Sequence, residues 1–577
     1  MNNIKTFNLQ FSNINASSKN FTGTFTTQQQ TQHQHQPQPQ LDKDLFYTPN
    51  QIKERTVIGL KDNQLYMKLK VNDSVDFTQD SSIKKVYFNN NLIVKRQNDR
   101  SFKIIKPGNG CLKIVFNDNT VRLVGIFAGK MKASVQIGSV SEDDPLTSIQ
   151  FWSYFGDEIN TSKYCETRYI YLNGGPGEYG WRMNYTSEEW NSEPLGKRAI
   201  AFIRNSQRLG MIPTFVYYNI PDNGESYWTN LEHIQSKDYM KAYYKDLFFV
   251  LDIIKKESPD LPVYMIFEPD FLGYLMQNSG QGSRNQFYKY PNEIMAHVSP
   301  VYELGILDRK EVNLSDNVNG LVRSVNHMVS KYCPNVRFGW QINVWSSKYS
   351  GKTIPSPSLI KITDNLGITK GIEFINKEAV EIANYYKEAG IVNKTHFYSV
   401  DKYGLSFRGV DENSMKDASK SAWGWNHDHW MNYLYYCKIL STTLNLKSVL
   451  WQIPSAHLNS SSSINPYTKK EFKDIENISG AYEDSAATFF FGDTFKPREA
   501  EKEYWKKNEH KTNLVESNGD FITWKGVMNK LSQYNIIMFL CGAGVGSDTH
   551  SGGLARPITD DQFFITKVQE YYLSEQL

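Results

Sequence analysis

Past residue 165 the chain alternates short apolar runs with longer amphipathic ones. The short runs are RYIYLNGG (168–175), MIPTFVYYNI (211–220), LPVYMIFEPD (261–270), VRFGWQINVW (336–345), GIEFIN (371–376), HFYSVDKYG (396–404), SVLWQIP (448–454) and IIMFLCGAG (536–544). Between them lie stretches with helical spacing, among them GKRAIAFIRNSQRLG, KDYMKAYYKDLFFVLDIIKKE, KEAVEIANYYKEAG and HWMNYLYYCKILSTTLNL. Near-continuous apolar runs are what strands buried on both faces require. Eight strand–helix units predict an α/β fold, a (β/α)8 TIM-type barrel over 160–577, enlarged by insertions beyond the usual ~250 residues.

Upstream the pattern is different. LYMKLKV, KKVYFNNNLIVKR, SFKIIKPGNGCLKIVF and TVRLVGIFAG are strand-like runs at close spacing, parted by Asn, Asp and Gly turns such as PGNG at 107–110. They predict a small all-β, sandwich-like module over 46–145, which either binds sugar chains or packs against the barrel. Residues 1–45 hold TTQQQTQHQHQPQPQ, too polar to bury a core, and are expected to be a disordered low-complexity segment.

Where the apolar runs end, polar and aromatic groups begin. Six of the eight runs do this: Asn173, Tyr218 with Asn219, Glu268 with Asp270, Asn343 with Trp345, Asp401, and Gln452. The C-terminal strand ends of a barrel carry its functional groups. Glu268 and Asp270, two residues apart, share a face if the strand stays extended, and close carboxylates hold one proton near neutrality. The alternative is that Asp270 caps a helix over FLGYLMQ; the functional reading is preferred. Asp401 lies on the sixth run and Asp270 on the third, which sets them across the barrel. Their expected separation is nearer that of an inverting pair (roughly 6.5–9.5 Å) than of a retaining one (roughly 5–5.5 Å). Lys402 either points away from Asp401 or pairs with a neighbour.

The loop YYNIPDNGESYW places Asp222, Glu225 and Trp228 beside Tyr218. This suits a sugar subsite, and it equally suits a solvated turn. WGWNHDHW (423–430) reads as a helix start rather than a metal site, while its tryptophans can still face the mouth. For Glu483 and Asp484 in GAYEDSAATFFFGD, a structural and a site role stand level. GAGVGSDTHSGG (542–553) lacks the GK[ST] ending of a phosphate loop and is expected to shape the last barrel loop, exposing Asp548 and His550. No GxSxG is present, which speaks against a serine hydrolase.

Composition changes this picture little. Sixty-four basic and 61 acidic residues leave +3, with no basic stripe, so nucleic acid is not expected as a partner. The 35 tyrosines and 12 tryptophans exceed what a core needs and suit stacking on sugar rings. Five scattered cysteines include no CxxC pair, so neither a zinc site nor any cofactor is expected, and a reducing compartment fits. No apolar stretch reaches the roughly 18 residues of a membrane helix, and no classical signal peptide is visible. The chain is expected to be cytoplasmic by default, or secreted if exported by another route.

FVYYNIPDNGES, followed by MIFEPDFLGYL, resembles glycoside hydrolase family six, the inverting cellulase barrels. The match covers 211–275. In that family the first segment reads Tyr-Asp-Leu-Pro-Asp-Arg-Asp, and the next strand ends in Glu-Pro-Asp, its aspartate the general acid. The resemblance implies Asp270 as proton donor and Tyr218 as the tyrosine beside the sugar. Asn219 stands for the first aspartate of the motif, and Asn223 and Gly224 for the arginine and the pKa-modulating aspartate, with Glu225 one residue on as a substitute. The family's late Lys-Pro-Gly-Glu-x-Asp segment is not found. SVLWQIPSAHLN and YEDSAATFFFGD look more like uncharacterised bacterial secreted proteins of glycosidase type.

The expected activity is hydrolysis of a polysaccharide, a β-glucan first, by carboxylate acid/base chemistry. Asp270 is the acid, Asp401 or Glu225 activates water or modulates the acid, and Glu268 orients it. Tyr218, Asn219, Asp222, Trp228, Asn343, Trp345, Trp451 and Gln452 are the expected substrate contacts. The rival readings are a non-catalytic glycan-binding barrel, supported by the missing aspartate at Gly224, and a structural or coat protein.

Overall fold

The structure is a computed structural model. It describes residues 53–129, 136–140, 165–176, 180–181, 195–222, 224–278, 289–346, 359–402, 424–466, 468–475, 477, 483–542 and 563–575. The low-complexity segment at 1–45, Asn223, and the Asp548–His550 loop lie outside the described residues.

The first strands are Tyr66–Leu69 (β1), Ser74–Asp76 (β2), Ile83–Phe88 (β3), Val94–Asn98 (β4), Ser101–Ile104 (β5), Gly108–Phe116 (β6) and Val121–Ala128 (β7). They form two sheets, one in the order β1-β7-β6-β3 and one in the order β2-β5-β4. Period-two alternation decides which side chains meet. Leu112, Ile114, Phe116, Val124 and Ile126 share one buried cluster with Phe88 and Phe102. Phe88 and Phe102 stack with ring centroids 5.9 Å apart and join the two sheets.

The opposite face of β6 and β7 goes to the barrel: Cys111 and Leu123 belong to its core. Backbone meets backbone there. A Cβ on Gly125 would stand 1.8 Å from the Gln207 carbonyl, and one on Gly210 would stand 1.9 Å from the Gly110 carbonyl. Gly210 also has a φ of +65°, so both space and conformation demand glycine. Asn109 Nδ2 donates to the Gly210 carbonyl at 2.5 Å across the same seam.

The barrel strands are Gln136–Val140 (β8), Thr167–Asn173 (β9), Ile212–Tyr218 (β10), Val263–Phe267 (β11), Val336–Ile342 (β12), Phe397–Asp401 (β13) and Lys447–Ile453 (β14). A side sheet of Gly492–Phe495 (β15), Val515–Asn518 (β16) and Phe521–Lys525 (β17) follows, and the eighth barrel strand is Ile536–Cys541 (β18). All pairings around the ring are parallel, and β18 closes it on β8. The fold is an α/β barrel.

Two predicted elements change. GIEFIN is not a strand: it lies in the helix Thr363–Glu388. Ile375, Ala379, Ile382, Ala383 and Tyr386 are all buried, a helical spacing that puts one face on the core. The missing strand is β8, upstream of residue 160. The count therefore shifts, and β11 and β13 are separated by β12 alone rather than lying across the barrel. The geometric reason for expecting a wide carboxylate pair falls with it.

Inside the ring Tyr169, Val216, Ile266, Phe397, Val449, Trp451, Met538 and Leu540 form one cluster. The alternate residues, such as Phe215, Tyr217, Phe338 and Trp340, face the outer helices. This parity aims Tyr218, Gln341, Asn343 and Asp401 inward at the strand ends. All five cysteines are buried thiols. Among the described residues, no helix is long and apolar enough to cross a membrane.

Candidate active site

The exit of β11 is bent, not extended. Glu268 has a φ of +42° and Asp270 a φ of +69°, on either side of Pro269. Non-glycine residues rarely occupy that region, and two within three positions mark a strained segment held by its surroundings. The expected shared face is lost, and the two carboxylates part company.

Glu268 turns back to β10. Its Oε2 accepts from the backbone N–H groups of Asn219 and Ile220 at 2.9 and 2.8 Å, and its Oε1 accepts from Tyr243 Oη at 2.8 Å. It is 1% exposed, and burial pushes its carboxyl up to about 8 despite these three bonds. It laces the β10 exit to the β11 exit and to the helix Lys237–Glu257. Asn219 belongs to the same lacing. It is fully buried, its Nδ2 donates to the Leu172 carbonyl at 3.0 Å, and an aspartate there would have no proton to give. The expectation that Asn219 contacts substrate is corrected: it has no surface at the mouth.

Asp270 faces the next strand end instead. Its Oδ1 accepts from Asn343 Nδ2 at 2.5 Å, and its backbone N–H donates to Gln341 Oε1 at 3.1 Å. The carboxylate therefore answers Asn343, although the residue does precede the helix Phe271–Asn278. Gly273 in that helix makes room, because a Cβ there would stand 2.2 Å from Asn343 Oδ1 and 3.0 Å from the Trp345 ring. Burial pushes the Asp270 carboxyl up to about 7, and the nearby charge of Glu225 adds to the rise.

Asp401 ends β13, 7% exposed, and its Oδ1 accepts from Gln341 Nε2 at 2.9 Å. Burial first, and Asp270 second, hold its carboxyl well above the usual range. Lys402 turns away, as one of the two expectations had it. Its ammonium lies 3.7 Å from Asp484, over the rings of Trp425 and Trp430. Both charges are almost wholly buried, so Asp484 serves structure at this point. Trp425 and Trp430 are core residues, not a sugar platform.

The β10 exit carries Tyr218, whose hydroxyl donates to Glu225 Oε1 at 2.9 Å. Burial raises the Tyr218 phenol, with Asp270 and Glu225 adding to it. Gly224 has no room for a side chain: a Cβ would meet Thr229 Oγ1 at 2.3 Å. Glu225, one residue on, has a φ of +38°. Asp222 accepts from the Gly174 backbone N–H and ties this loop to the β9 exit. Trp228 is 63% exposed beside Tyr227, whereas Trp345 is half-buried against Tyr274 with centroids 5.0 Å apart.

At the β14 exit, Gln452 has a φ of +49° and donates from Nε2 to Tyr171 Oη at 2.6 Å. Trp451 is 2% exposed within the barrel's inner cluster, its ring 5.9 Å from Tyr171. The expectation that it forms a sugar platform is corrected.

His429 belongs to a helix start. Asn426 caps His427–Leu444, accepting from the His429 backbone, and His429 Nδ1 accepts from the Asn426 backbone N–H. Asp428 accepts from the backbones of Glu509 and His510. Among the described residues, no group of three or more His, Cys, Asp or Glu is placed to hold a metal ion.

Gln341, Tyr243, Tyr386 and Tyr171 were not singled out in the sequence. For Gln341 a signal was present: it stands two residues before Asn343 in QIN, on the same face of one strand. Tyr171 carried the same signal, two residues before Asn173 on one strand, whereas Tyr243 and Tyr386 lie on helices and carry none.

No family model matches the chain, and no curated protein matches it. Solved structures give a distant resemblance to glycoside hydrolase barrels. One is a GH10 xylanase containing a bacterial Ig-like domain, from termite gut, at 10% identity over 88% of this chain and 99% of that one, with a TM-score of 0.31. Another is the catalytic core domain of the cellobiohydrolase Cel6A from Chaetomium thermophilum, at 11% identity over 65% and 81%, with a TM-score of 0.27. A third is the spore cortex-lytic enzyme SleL of Bacillus megaterium, at 8% identity over 78% and 76%, with a TM-score of 0.31. The likenesses are remote, and the chemistry rests on the residues at the mouth.

Proposed function

We propose that the chain is a glycoside hydrolase that cleaves a polysaccharide, a β-glucan being the first substrate to try, with Asp270 as general acid. The observation that carries this reading is that Asp270, half-buried, and Asp401, 7% exposed, stand at strand ends with β12 between them, and that burial raises both carboxyls. A carboxyl lifted to about 7 keeps its proton near neutral pH and can give it to a leaving oxygen. Glu225 helps keep it there, in the role of the aspartate that Gly224 has no room for. Asp401 is the second carboxylate, activating water or modulating the acid, and Glu268 holds the loop that presents Asp270. Tyr218, Trp228 and Trp345 offer rings to the sugar, while Asp222, Asn343 and Gln452 fix the rim.

The test is a panel of insoluble and soluble polysaccharides, scored for reducing ends and for retention, with wild type, Asp270→Asn and Asp401→Asn. Release by wild type, cut by about 10²–10⁴-fold in Asp270→Asn, supports the reading. Retention of glycan by all three proteins with no release from any makes this a binding protein.

A further inference from the structure

β12 lies between the two carboxylates, and its end makes contact with both. Gln341 and Asn343 are two residues apart and project on the inward side. Asn343 takes the Asp270 carboxylate. Gln341 reaches in both directions: its Oε1 accepts from the Asp270 backbone N–H at 3.1 Å, and its Nε2 donates to Asp401 Oδ1 at 2.9 Å. The amide has one possible orientation. A backbone N–H can only donate, so the oxygen must face Asp270 and the NH2 must face Asp401. The side chain is 2% exposed and spans the width of one strand between them.

We propose that Gln341 is a positioning residue: a single amide fixes the Asp401 carboxyl against the backbone of Asp270, and so sets where the second carboxylate stands relative to the acid. This deepens the reading of Asp270 and Asp401 given above and rests on it. The backbone at Asp270 lies in the left-handed region, at a φ of +69°, and needs a partner to stay there. Gln341 supplies that partner on one side and uses Asp401 as its anchor on the other. Leucine offers neither bond. Glutamate offers both only when protonated, since its ionised form has no hydrogen to donate to Asp401 and adds a negative charge beside it. The titratable groups whose charges reach the pair are Glu225 and Tyr218 from the β10 exit, Tyr386 from the helix Thr363–Glu388, and Tyr433 and Tyr436 from the helix His427–Leu444.

The experiment compares wild type with Gln341→Leu and Gln341→Glu in two ways. The first is kcat and KM on the glycan across pH. The second is carbon-13 titration of the labelled Asp270 and Asp401 carboxyls, which reads the link whether or not glycan is cleaved. Gln341→Leu is expected to lower kcat about 10–100-fold with KM within about threefold, a loss confined to the reacting geometry. Its Asp401 carboxyl should titrate higher, because the donor that favours the charged form is gone. Gln341→Glu should be weak at pH 7 and recover as the pH falls, when the introduced carboxyl gains a proton and donates to Asp401. A purely structural role predicts lower melting temperatures in both variants and no recovery on acidification. Wild-type kcat and an unmoved Asp401 titration in Gln341→Leu would overturn the proposal. Glycan untouched by wild type would sink the hydrolase reading alone, and the Asp401 titration would still decide for or against the link.

Discussion

Asn343 donates from its Nδ2 to Asp270 Oδ1 at 2.5 Å, the bond that turns this carboxylate away from Glu268 and toward β12. It favours the charged form of Asp270 against burial. Asn343→Ala removes it, so the Asp270 carboxyl should move up from about 7. The alkaline limb of kcat/KM should shift to higher pH, while loss of orientation lowers kcat by about tenfold. A pH–rate profile of the variant checks both.

Glu225 acts in the opposite direction, its charge raising Asp270. Glu225→Gln keeps an acceptor for Tyr218 Oη and removes the charge. Asp270 should then lose its proton earlier, and the alkaline limb should move to lower pH. An unmoved limb would take Glu225 out of the role of pKa modulator.

Glu268 makes stability depend on pH. Its folded carboxyl sits at about 8, above the roughly 4.3 of an unfolded glutamate. In that window the native state binds more protons than the unfolded one, so stability is full below about 4.3 and is lost as the pH rises toward 8. Denaturant midpoints measured at pH 5 and 8 should fall more for wild type than for Glu268→Gln, which has no such group.

The segment that answered GIEFIN shows what the sequence conceals. Six apolar-rich residues fit a strand or a helix equally well by themselves. The helix Thr363–Glu388 becomes legible only when Ile375, Ala379 and Tyr386 are read together as one stripe. β8 was hidden for the converse reason: QIGSV is short and carries polar residues, so it gives no apolar run. The strand ends were legible because parity fixes which residues point inward, and Tyr218, Asn343 and Asp401 follow it. Glu268 was not, because the backbone leaves the extended region just there, and sequence spacing says nothing of positive φ. Asn219 was not, because its partners, the Leu172 carbonyl and Glu268, come from the two neighbouring strand exits.

Lys402 and Asp484 test the wall behind Asp401. The pair is about 99–100% buried in its side chains, with the two charges 3.7 Å apart. Asp484→Ala removes the carboxylate of a buried ion pair and should cost about 3–5 kcal/mol. The double variant Lys402→Met with Asp484→Leu should cost far less. Urea unfolding of wild type, Asp484→Ala and the double variant compares the loss of one partner with the replacement of both.

The central claim is that Asp270 gives its proton to the leaving oxygen. It is tested most directly by comparing Asp270→Asn on the natural glycan and on an aryl glycoside whose leaving group needs no proton. The account predicts a loss of about 10²–10⁴-fold on the glycan and less than about tenfold on the activated substrate. An equal loss on both substrates, or no loss on either, would contradict it.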